Sequence, residues 1–326
     1  MTANQTYHAT EVKPGLYQIG SVLGPRYVYQ YLLVDEAGSI LIDTGMPDTP
    51  EKAILPFMRD IGLEPAQLRA ILISHADVDH FSGLENLRKF CTNAMVMAHA
   101  ADVPWIESVS RICRERYFAY ESLGVAHDEE TKRWFVEHLR QSRVDLQLRG
   151  GEVLQLSGER QLDILHLPGH SPGHLGVYDR KNRTAIIIDG VLWRGLFDSQ
   201  GKNVISPPPY YSIQPYLDSI DRLLQLDIDC LLTGHYEVLS GQDAYRFLHE
   251  SKRFVEEVSD AVEEVVRSGG GPVSLADVLD ATNQKVGPYT VMAVELIGPV
   301  YAHLLDLERQ GKIHRTMQGT IPCWYA

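Results

Sequence analysis

The segment SHADVDHFSG, residues 74–83, places two histidines and two aspartates within six positions of the chain. These four side chains are His75, Asp77, Asp79 and His80, and they follow the apolar run LRAILI. Imidazole nitrogens and carboxylate oxygens together suit divalent cations of borderline hardness. Because the apolar run predicts a short buried strand, the segment predicts a metal site in the loop where that strand ends.

Three further segments carry side chains of the same types. His170 and His174 lie in PGHSPGH, Asp189 follows the run AIII, and His235 ends the segment LLTGH. Each one alone is weak evidence, because a lone histidine is usually a surface or core residue and a lone aspartate after a strand usually forms a cap or turn. All of them, however, follow apolar strand-like runs, as the segment 74–83 does. We therefore expect several strand ends to converge on one metal site.

The elements that must position these residues form two halves, residues 16–100 and 150–240. Both halves have short runs rich in β-branched and aromatic residues, interrupted by glycine and proline, which predicts strands and loops. Residues 101–149 instead hold charges of both signs and scattered aromatic residues, and they are predicted to form a helical insertion. The predicted fold class is therefore α/β.

The last part of the chain, residues 246–326, has a helical pattern. A long amphipathic helix is expected to end at glycines 269–271, a second to begin at Ser274, and a third to lead into a terminal hairpin. This order predicts a small winged-helix-like module after a catalytic domain that spans residues 1–245. With eight Lys and Arg against eleven Asp and Glu, the module is expected to be structural or to form a homodimer, and not to bind DNA.

The order and spacing of the motifs resemble the metallo-β-lactamase superfamily, an αββα sandwich of dinuclear metallohydrolases. The resemblance covers about residues 12–240, where DTG, PGHSPGH and TGH fit the family pattern, and the C-terminal module is similar to one in members related to glyoxalase II. The resemblance implies two divalent cations, zinc in the first instance. It assigns the first cation to His75, residue 77 and His170, the second to Asp79, His80 and His235, and Asp189 as the bridge between them.

Asp77 departs from the family loop HxHxDH, which has a histidine at this position. A carboxylate oxygen lies two bonds from Cβ, as does the ring nitrogen that this histidine uses, so Asp77 could bind a cation without a change in the backbone. Two histidines and a carboxylate form a harder site, which favours iron or manganese there relative to an all-imidazole site. The alternative is that Asp77 points away and one cation binds, on Asp79, His80, Asp189 and His235.

The resemblance implies a hydrolase in which a metal-bound hydroxide attacks a small ester, lactone, thioester or related compound, aromatic and halogenated substrates included. Asp79 is expected to be a ligand and also to orient the attacking water or accept its proton. Asp43 and His174 are expected to hydrogen-bond the ligands and orient them. Tyr210 or Tyr211, in the segment PPPYY, could donate a hydrogen bond to an oxyanion; a rigid surface loop is the alternative.

Two alternatives to hydrolysis remain open. A diiron oxidoreductase is favoured by Asp77, since flavodiiron members of the superfamily have a carboxylate at this position, but no flavodoxin-like segment follows. A metal-bearing binding or sensing protein is the other, and the full set of ligand-type residues argues against it. The insertion 101–149 is expected either to cover the pocket with aromatic side chains or to pack a dimer.

Charge and cysteine content limit the partners and the location. The net charge of −13, without a basic cluster, would repel phosphate backbones and anionic membranes, so we expect a small-molecule substrate and neither nucleic acid nor membrane. The four cysteines lie far apart and are predicted to be free thiols. The N-terminal sequence has no secretory pattern and no apolar run is of membrane length, which predicts a soluble, cytoplasmic protein.

Overall fold

The structure, a computed structural model, describes residues 7–158 and 160–326. Two β-sheets pack face to face and carry helices on both outer sides, which confirms the predicted αββα sandwich. Residues 1–6 lie outside the described residues. They belong to the predicted catalytic domain and to the N-terminal segment that is predicted to lack a secretory signal.

The first sheet has seven strands that lie in the order of the sequence. They are β1 (His8–Lys13), β2 (Leu16–Leu23), β3 (Arg26–Leu33), β4 (Ser39–Ile42), β5 (Leu68–Ile73), β6 (Met95–His99) and β7 (Leu146–Leu148). Strands β1 to β4 form an antiparallel meander, whereas β4 to β7 run parallel. The parallel strands therefore end at one edge of the sheet, where α/β proteins build their sites.

The second sheet has six strands in the order β15–β14–β11–β10–β9–β8, and a separate two-stranded ribbon, β12–β13, follows β11. The strands are β8 (Val153–Gln155), β9 (Gln161–His166), β10 (Leu175–Asp179), β11 (Thr184–Ile188), β12 (Leu196–Phe197), β13 (Val204–Ser206), β14 (Cys230–Thr233) and β15 (Leu239–Ser240). The neighbours β11 and β14 are parallel, so both deliver the residues that follow them to the same edge.

Ten α-helices in the described residues cover the sheets or build the C-terminal module. They are α1 (Leu55–Asp60), α2 (Val78–Phe81), α3 (Leu84–Leu87), α4 (Val103–Ile106), α5 (Val109–Ile112), α6 (Glu129–His138), α7 (Ile213–Leu224), α8 (Gln242–Ser268), α9 (Leu275–Val286) and α10 (Ile297–Arg309). Single turns of π or 3₁₀ helix occur at Pro50–Ile54, Pro65–Gln67, Cys113–Tyr117, Glu121–Leu123 and Ala293–Leu296. None of the helices in the described residues combines the length and the apolar character needed to span a bilayer.

Alternation along the central strands divides the core into layers. In β5, Ile71 and Ile73 pack against the outer helices, while Leu72 faces the second sheet. In β11, Ile187 packs against the helices on the other side, and Ile186 faces the first sheet. Burial on both faces explains the apolar runs AILI and AIII in these strands, and each large apolar side chain contributes about 1.5–3 kcal/mol to stability.

The helical insertion is confirmed, with α4 to α6 packed through Ile106, Ile112 and Phe135 against the first sheet. The predicted span 101–149 differs at its end, where residues 146–148 form the edge strand β7. This three-residue strand is too short to give a sequence pattern of its own. All four cysteines are buried free thiols, as predicted.

The C-terminal residues form three helices and a small sheet of β16 (Val273–Ser274), β18 (Ile321–Tyr325) and β17 (His314–Gln318) in that order. Ser274 caps α9 in a capping box with Asp277, which confirms the predicted start of this helix. The predicted boundary at residues 245 and 246 falls within α8, whose start packs on the second sheet and whose remainder packs in the module. The winged-helix assignment stays a prediction.

Candidate metal centre

The structure brings all seven predicted ligands together at one edge of the sandwich. Three groups of three side chains have ligand atoms within 4.8 Å of one another: one is Asp43, His75 and His80, and the other two consist of predicted ligands only. We call these two the first donor set, which is His75, Asp77 and His170, and the second donor set, which is Asp79, His80 and His235. The seventh residue, Asp189, places Oδ2 3.4 Å from His80 Nε2 and 3.1 Å from His235 Nε2.

The ends of separate strands supply these side chains. His75 follows β5, and the short helix α2 then presents Asp79 and His80. His170 lies in the loop between β9 and β10, while Asp189 and His235 follow the parallel pair β11 and β14. These side chains converge because the strands that carry them end at the same edge of the sandwich, as the sequence predicts.

Hydrogen bonds to Nδ1 orient the rings of both His75 and His80. His80 Nδ1 lies 2.9 Å from Asp43 Oδ2, and His75 Nδ1 lies 2.9 Å from Ser74 Oγ. Ser74 Oγ donates its one hydrogen to Asp43 Oδ2 at 2.7 Å, so it accepts from His75. The predicted orienting role of Asp43 therefore agrees with a contact to His80 and with a relay through Ser74 to His75.

His170 and His235 are held in the same way by backbone carbonyl groups. His170 Nδ1 lies 2.6 Å from the carbonyl oxygen of Pro209, and His235 Nδ1 lies 2.8 Å from that of Tyr27. A carbonyl oxygen only accepts, so Nδ1 carries the hydrogen in both rings. In the neutral form of each ring, Nε2 is therefore the atom with the free lone pair, and it faces the interior of the site.

Several inward atoms of these residues lack hydrogen-bond partners, which fits a bound cation. Nε2 of His75 and Nε2 of His80 are buried without a hydrogen-bond partner, as is Asp189 Oδ1. His170 Nε2 lies 3.0 Å from Asp77 Oδ2, and His235 Nε2 lies 3.1 Å from Asp189 Oδ2, so these nitrogen and oxygen atoms face one another across the site. Burial of such groups without a positive charge is costly, whereas a divalent cation satisfies imidazole and carboxylate ligands together. The residues present therefore fit a metal centre.

Asp189, and Asp79 of the second donor set, are kept ionised by their neighbours. Burial alone would raise the pKa of Asp189, but His235 and His80 hold this pKa well below its usual range. Burial also opposes the charge of Asp79, and the charges of His80 and Arg26 nevertheless lower its pKa. Both residues are therefore carboxylates at neutral pH, which is the form that binds a cation.

Asp77 points into the site, so the part of the alternative in which it points away is wrong, whereas the number of bound cations stays a prediction. It precedes α2 at the N-cap position but makes no capping hydrogen bond. Its oxygens instead accept two hydrogen bonds from Arg116, from Nε to Oδ1 and from Nη2 to Oδ2, both at 2.5 Å. Burial would raise the pKa of Asp77, but the Arg116 guanidinium and His170 hold it well below its usual range. Whether Asp77 is a ligand stays a prediction.

Three residues at the site were not predicted from the sequence, namely Arg116, Arg26 and Asp102. Arg26 at the start of β3 donates from Nη2 to Asp79 Oδ2 at 3.0 Å. Asp102 joins two site loops, because it accepts from the backbone of Ala76 and of Gly173. No sequence signal separates these residues from other arginines and aspartates, since each lies far along the chain from its partner.

His174 lies within the site but not in the predicted role. Its ring stacks on that of His75, with centroids 4.9 Å apart. Neither ring nitrogen has a hydrogen-bond partner among the residues that the structure describes. Burial and the charge of His75 hold the pKa of His174 well below its usual value, so the ring is neutral and supports His75 by packing.

The two tyrosines of the segment PPPYY do not present free hydroxyl groups to the donor sets. Tyr210 is buried, and its hydroxyl group lies 2.8 Å from Nε2 of His303 in α10. Tyr211 donates to Glu295 at 3.1 Å, and its ring lies under the Arg116 guanidinium. The expectation that Tyr210 supplies an oxyanion donor is therefore corrected, because its hydroxyl group already has a buried partner in the C-terminal module.

A cavity opens on the donor sets, and its other walls are mostly apolar. The predicted aromatic cover is present, since Tyr117, Trp134 and Phe135 come from the insertion. Besides the donor sets and Asp189, the charged groups in the wall are Arg26 and Glu295. The remaining apolar lining consists of Val78, Leu192, Leu196, Pro207, Pro209 and Met292.

Gly234 gives a direct test of the arrangement. A Cβ atom at this position would collide with Asp189 Oδ1 and lie 2.9 Å from Cε1 of His80. We expect Gly234→Ala to weaken zinc binding by about tenfold or more, because it displaces side chains of the second donor set. Zinc retained after gel filtration measures the effect. Gly271→Ala, at a position with open space, is the control, and equal zinc content in both variants would contradict the arrangement.

Known proteins share both the sequence pattern and the fold. A model of the metallo-β-lactamase superfamily matches residues 23–235. The acyl-coenzyme A thioesterase MBLAC2 of Gallus gallus is 28% identical over 227 residues, 64% of this chain and 72% of that protein. An N-acyl homoserine lactonase of Bacillus thuringiensis is 24% identical over 226 residues, 61% of this chain and 76% of that protein.

A solved structure extends the likeness to the whole chain. A metallo-β-lactamase family protein from Thermus thermophilus has a TM-score of 0.74 at 21% identity, and the match covers 97% of this chain and 99% of that one. The likeness in fold therefore includes the C-terminal module. Since the family model spans most of the chain and ends at His235, the chain belongs to the metallo-β-lactamase superfamily of metallo-hydrolases.

Proposed function

We propose that this protein is a zinc-dependent hydrolase of acyl thioesters with an apolar acyl group, with lactones as the second substrate class. One observation carries the proposal: the cavity has the donor sets in one wall and aromatic and aliphatic side chains in most of the others. A substrate that fits both parts has a polar carbonyl group next to an apolar group.

The reaction adds water across the bond between the carbonyl carbon and sulfur. The water oxygen bonds to the carbonyl carbon, the carbon–sulfur bond breaks, and a proton goes to the departing sulfur. A cation held by these donor residues would supply the charge that ionises a water and polarises the carbonyl group. Asp79 orients this water and accepts its proton, because its carboxylate is ionised and lies in the cavity wall.

Arg26 and the apolar walls complete the arrangement. The contact with Asp79 restrains the Arg26 guanidinium, whose Nε is buried without a partner. Arg26 lies in the cavity wall, and we assign its guanidinium group to an interaction with an oxygen of the substrate. The side chains of Trp134, Phe135 and Leu192 contact the acyl group and exclude bulk water, which strengthens the electrostatic interactions at the carbonyl.

The relatives support the same chemistry. One is named as an acyl-coenzyme A thioesterase and another as an N-acyl homoserine lactonase, and both names describe the attack of water on an activated carbonyl. Hydrolysis is therefore preferred over the diiron oxidoreductase and over the binding or sensing protein. Zinc is proposed as the bound cation, with iron or manganese as alternatives for any cation at the set that contains Asp77.

A substrate panel tests the proposal. Zinc-loaded protein is assayed with acyl-coenzyme A thioesters from acetyl to long-chain, with N-acyl homoserine lactones, and with a β-lactam. We expect thiol release from the thioesters, with kcat/KM rising as the acyl group becomes more apolar. Absence of hydrolysis of both thioesters and lactones by protein with full zinc content would overturn the proposal.

Trp134 gives the matching prediction on the cavity wall. Trp134→Ala is expected to lower kcat/KM for a long-chain thioester by about tenfold and to affect the acetyl thioester less, because only the longer group reaches this wall. Val136→Ala is the control, since Val136 is 54% exposed on the same helix. An equal loss of kcat/KM for both substrates, or no loss for either, would show that the acyl group does not contact Trp134.

A further inference from the structure

A positively charged side chain, Arg116, contacts the first donor set. Arg116 lies in the single helical turn Cys113–Tyr117 of the insertion, and only 3% of its side chain is exposed. It contacts both oxygens of Asp77 at 2.5 Å, which is the bidentate geometry of a strong arginine–carboxylate pair. The ring of Tyr211 lies 4.4 Å from the guanidinium carbon and limits its movement.

The second donor set differs in charge. Two carboxylates, Asp79 and Asp189, face it, and the rings of His80 and His235 supply nitrogen atoms that carry no negative charge. Arg26 contacts Asp79 through one nitrogen only. Asp189 has no arginine or lysine contact among the described residues, and its Oδ1 has no hydrogen-bond partner. The second set is therefore more anionic than the first, where Arg116 neutralises the one carboxylate.

Arg116 has two opposite effects on a cation in the first set. It orients Asp77, and such orienting partners improve metal affinity by roughly 10–100-fold. It also repels a divalent cation across a few ångströms of buried space, and this Coulomb repulsion is the larger effect even at the screened dielectric constant that suits proteins. The balance therefore disfavours a cation in the first set while Arg116 is in place.

We propose that the Arg116 guanidinium takes the place of a second cation, so that each chain holds one tightly bound divalent cation, on Asp79, His80, His235 and Asp189. The first donor set binds a further cation about 100-fold or more weakly than the second set does. The inference rests on the metal dependence in the proposed function but not on its substrate.

The test is a binding measurement. Metal-free wild-type protein is titrated with zinc against a competing chelator, and the zinc retained after gel filtration is counted. We expect one retained equivalent and a weak second one. Arg116→Gln, which removes the charge but keeps hydrogen-bonding groups, is expected to bind the second equivalent at least about tenfold more tightly than the wild type.

Two variants separate charge from geometry. Arg116→Lys keeps the positive charge but loses the two parallel hydrogen bonds of the guanidinium group, and it is expected to bind the second equivalent of zinc as weakly as the wild type does. Arg114→Gln removes the same charge from a side chain that is 67% exposed two positions away, and it should bind zinc as the wild type does. Two equivalents of equal affinity in the wild type, or a weaker second equivalent in Arg116→Gln, would overturn the inference. Either result concerns zinc alone, whereas failure of the proposed function would appear in the substrate panel.

Discussion

Replacement of Asp79 by asparagine is expected to lower kcat by about 10²- to 10⁴-fold in protein that is saturated with zinc. Asparagine has nearly the same shape, but it cannot accept the proton of the attacking water. The loss is expected mainly in kcat, because Asp79 acts on the reacting water and does not line the apolar part of the cavity. Steady-state kinetics of thioester hydrolysis, with zinc content measured on the same samples, provide the test.

The charge of Asp79 is needed for this role, and the structure explains how it is kept. Arg26 Nη2 lies 3.0 Å from Asp79 Oδ2, and His235 Nε2 lies 3.8 Å from the same oxygen. Asp227→Asn is a suitable control, because the Asp227 side chain is 71% exposed and pairs only with Arg183 among the ion pairs of the described residues. Near-normal turnover in Asp79→Asn with full zinc content would remove Asp79 from proton transfer.

Replacement of Asp43 by asparagine is expected to weaken zinc binding by about 10–100-fold, although Asp43 is not among the proposed ligands. Asp43 Oδ1 accepts from the backbone of Ser74 at 2.7 Å, and Oδ2 accepts from Ser74 Oγ and from His80 Nδ1. Asparagine has only one accepting atom. When its oxygen serves the Ser74 backbone, its amide group faces His80 Nδ1, and this ring is driven toward the tautomer with hydrogen on Nε2, which cannot bind a cation.

Two measurements separate the effect of Asp43 on the orientation of His80 from its effect on the stability of the fold. Zinc affinity is measured by chelator competition, and the free energy of unfolding of the metal-free protein is measured in urea. We expect the free energy of unfolding to fall by about 1–3 kcal/mol, because buried donors lose their acceptor. Ser74→Ala keeps the Asp43 contact with His80 and should weaken zinc binding less. Unchanged zinc affinity in Asp43→Asn would show that the tautomer of His80 does not depend on Asp43.

Much of the fold follows from local sequence patterns. Runs such as LRAILI and AIII predict strands β5 and β11, because a strand that is buried on both faces needs apolar side chains at every position. The glycines after Ser268 and the cap at Ser274 likewise predict the end of α8 and the start of α9. The edge strand β7 is missed, since three residues with two exposed side chains carry no periodic signal.

The site is predictable where residue type alone limits the chemistry. Histidine and aspartate at strand ends have few roles other than binding or catalysis, so their convergence is predicted without contacts. Arg116 could not be found in this way, because its role depends on a pair with Asp77 that spans 39 residues. The hydrogen bond of Tyr210 could not be predicted either, since its partner His303 lies in a different part of the chain.

The central claim is that hydrolysis depends on a cation bound by the convergent histidines and aspartates. The most direct measurement follows the hydrolysis of an acyl-coenzyme A thioester by chelator-treated protein before and after the addition of zinc. Treated protein is predicted to lose at least about 10³-fold of its rate and to regain it in proportion to the zinc it binds. A treated protein without bound metal that hydrolyses the thioester at the original rate would contradict the claim.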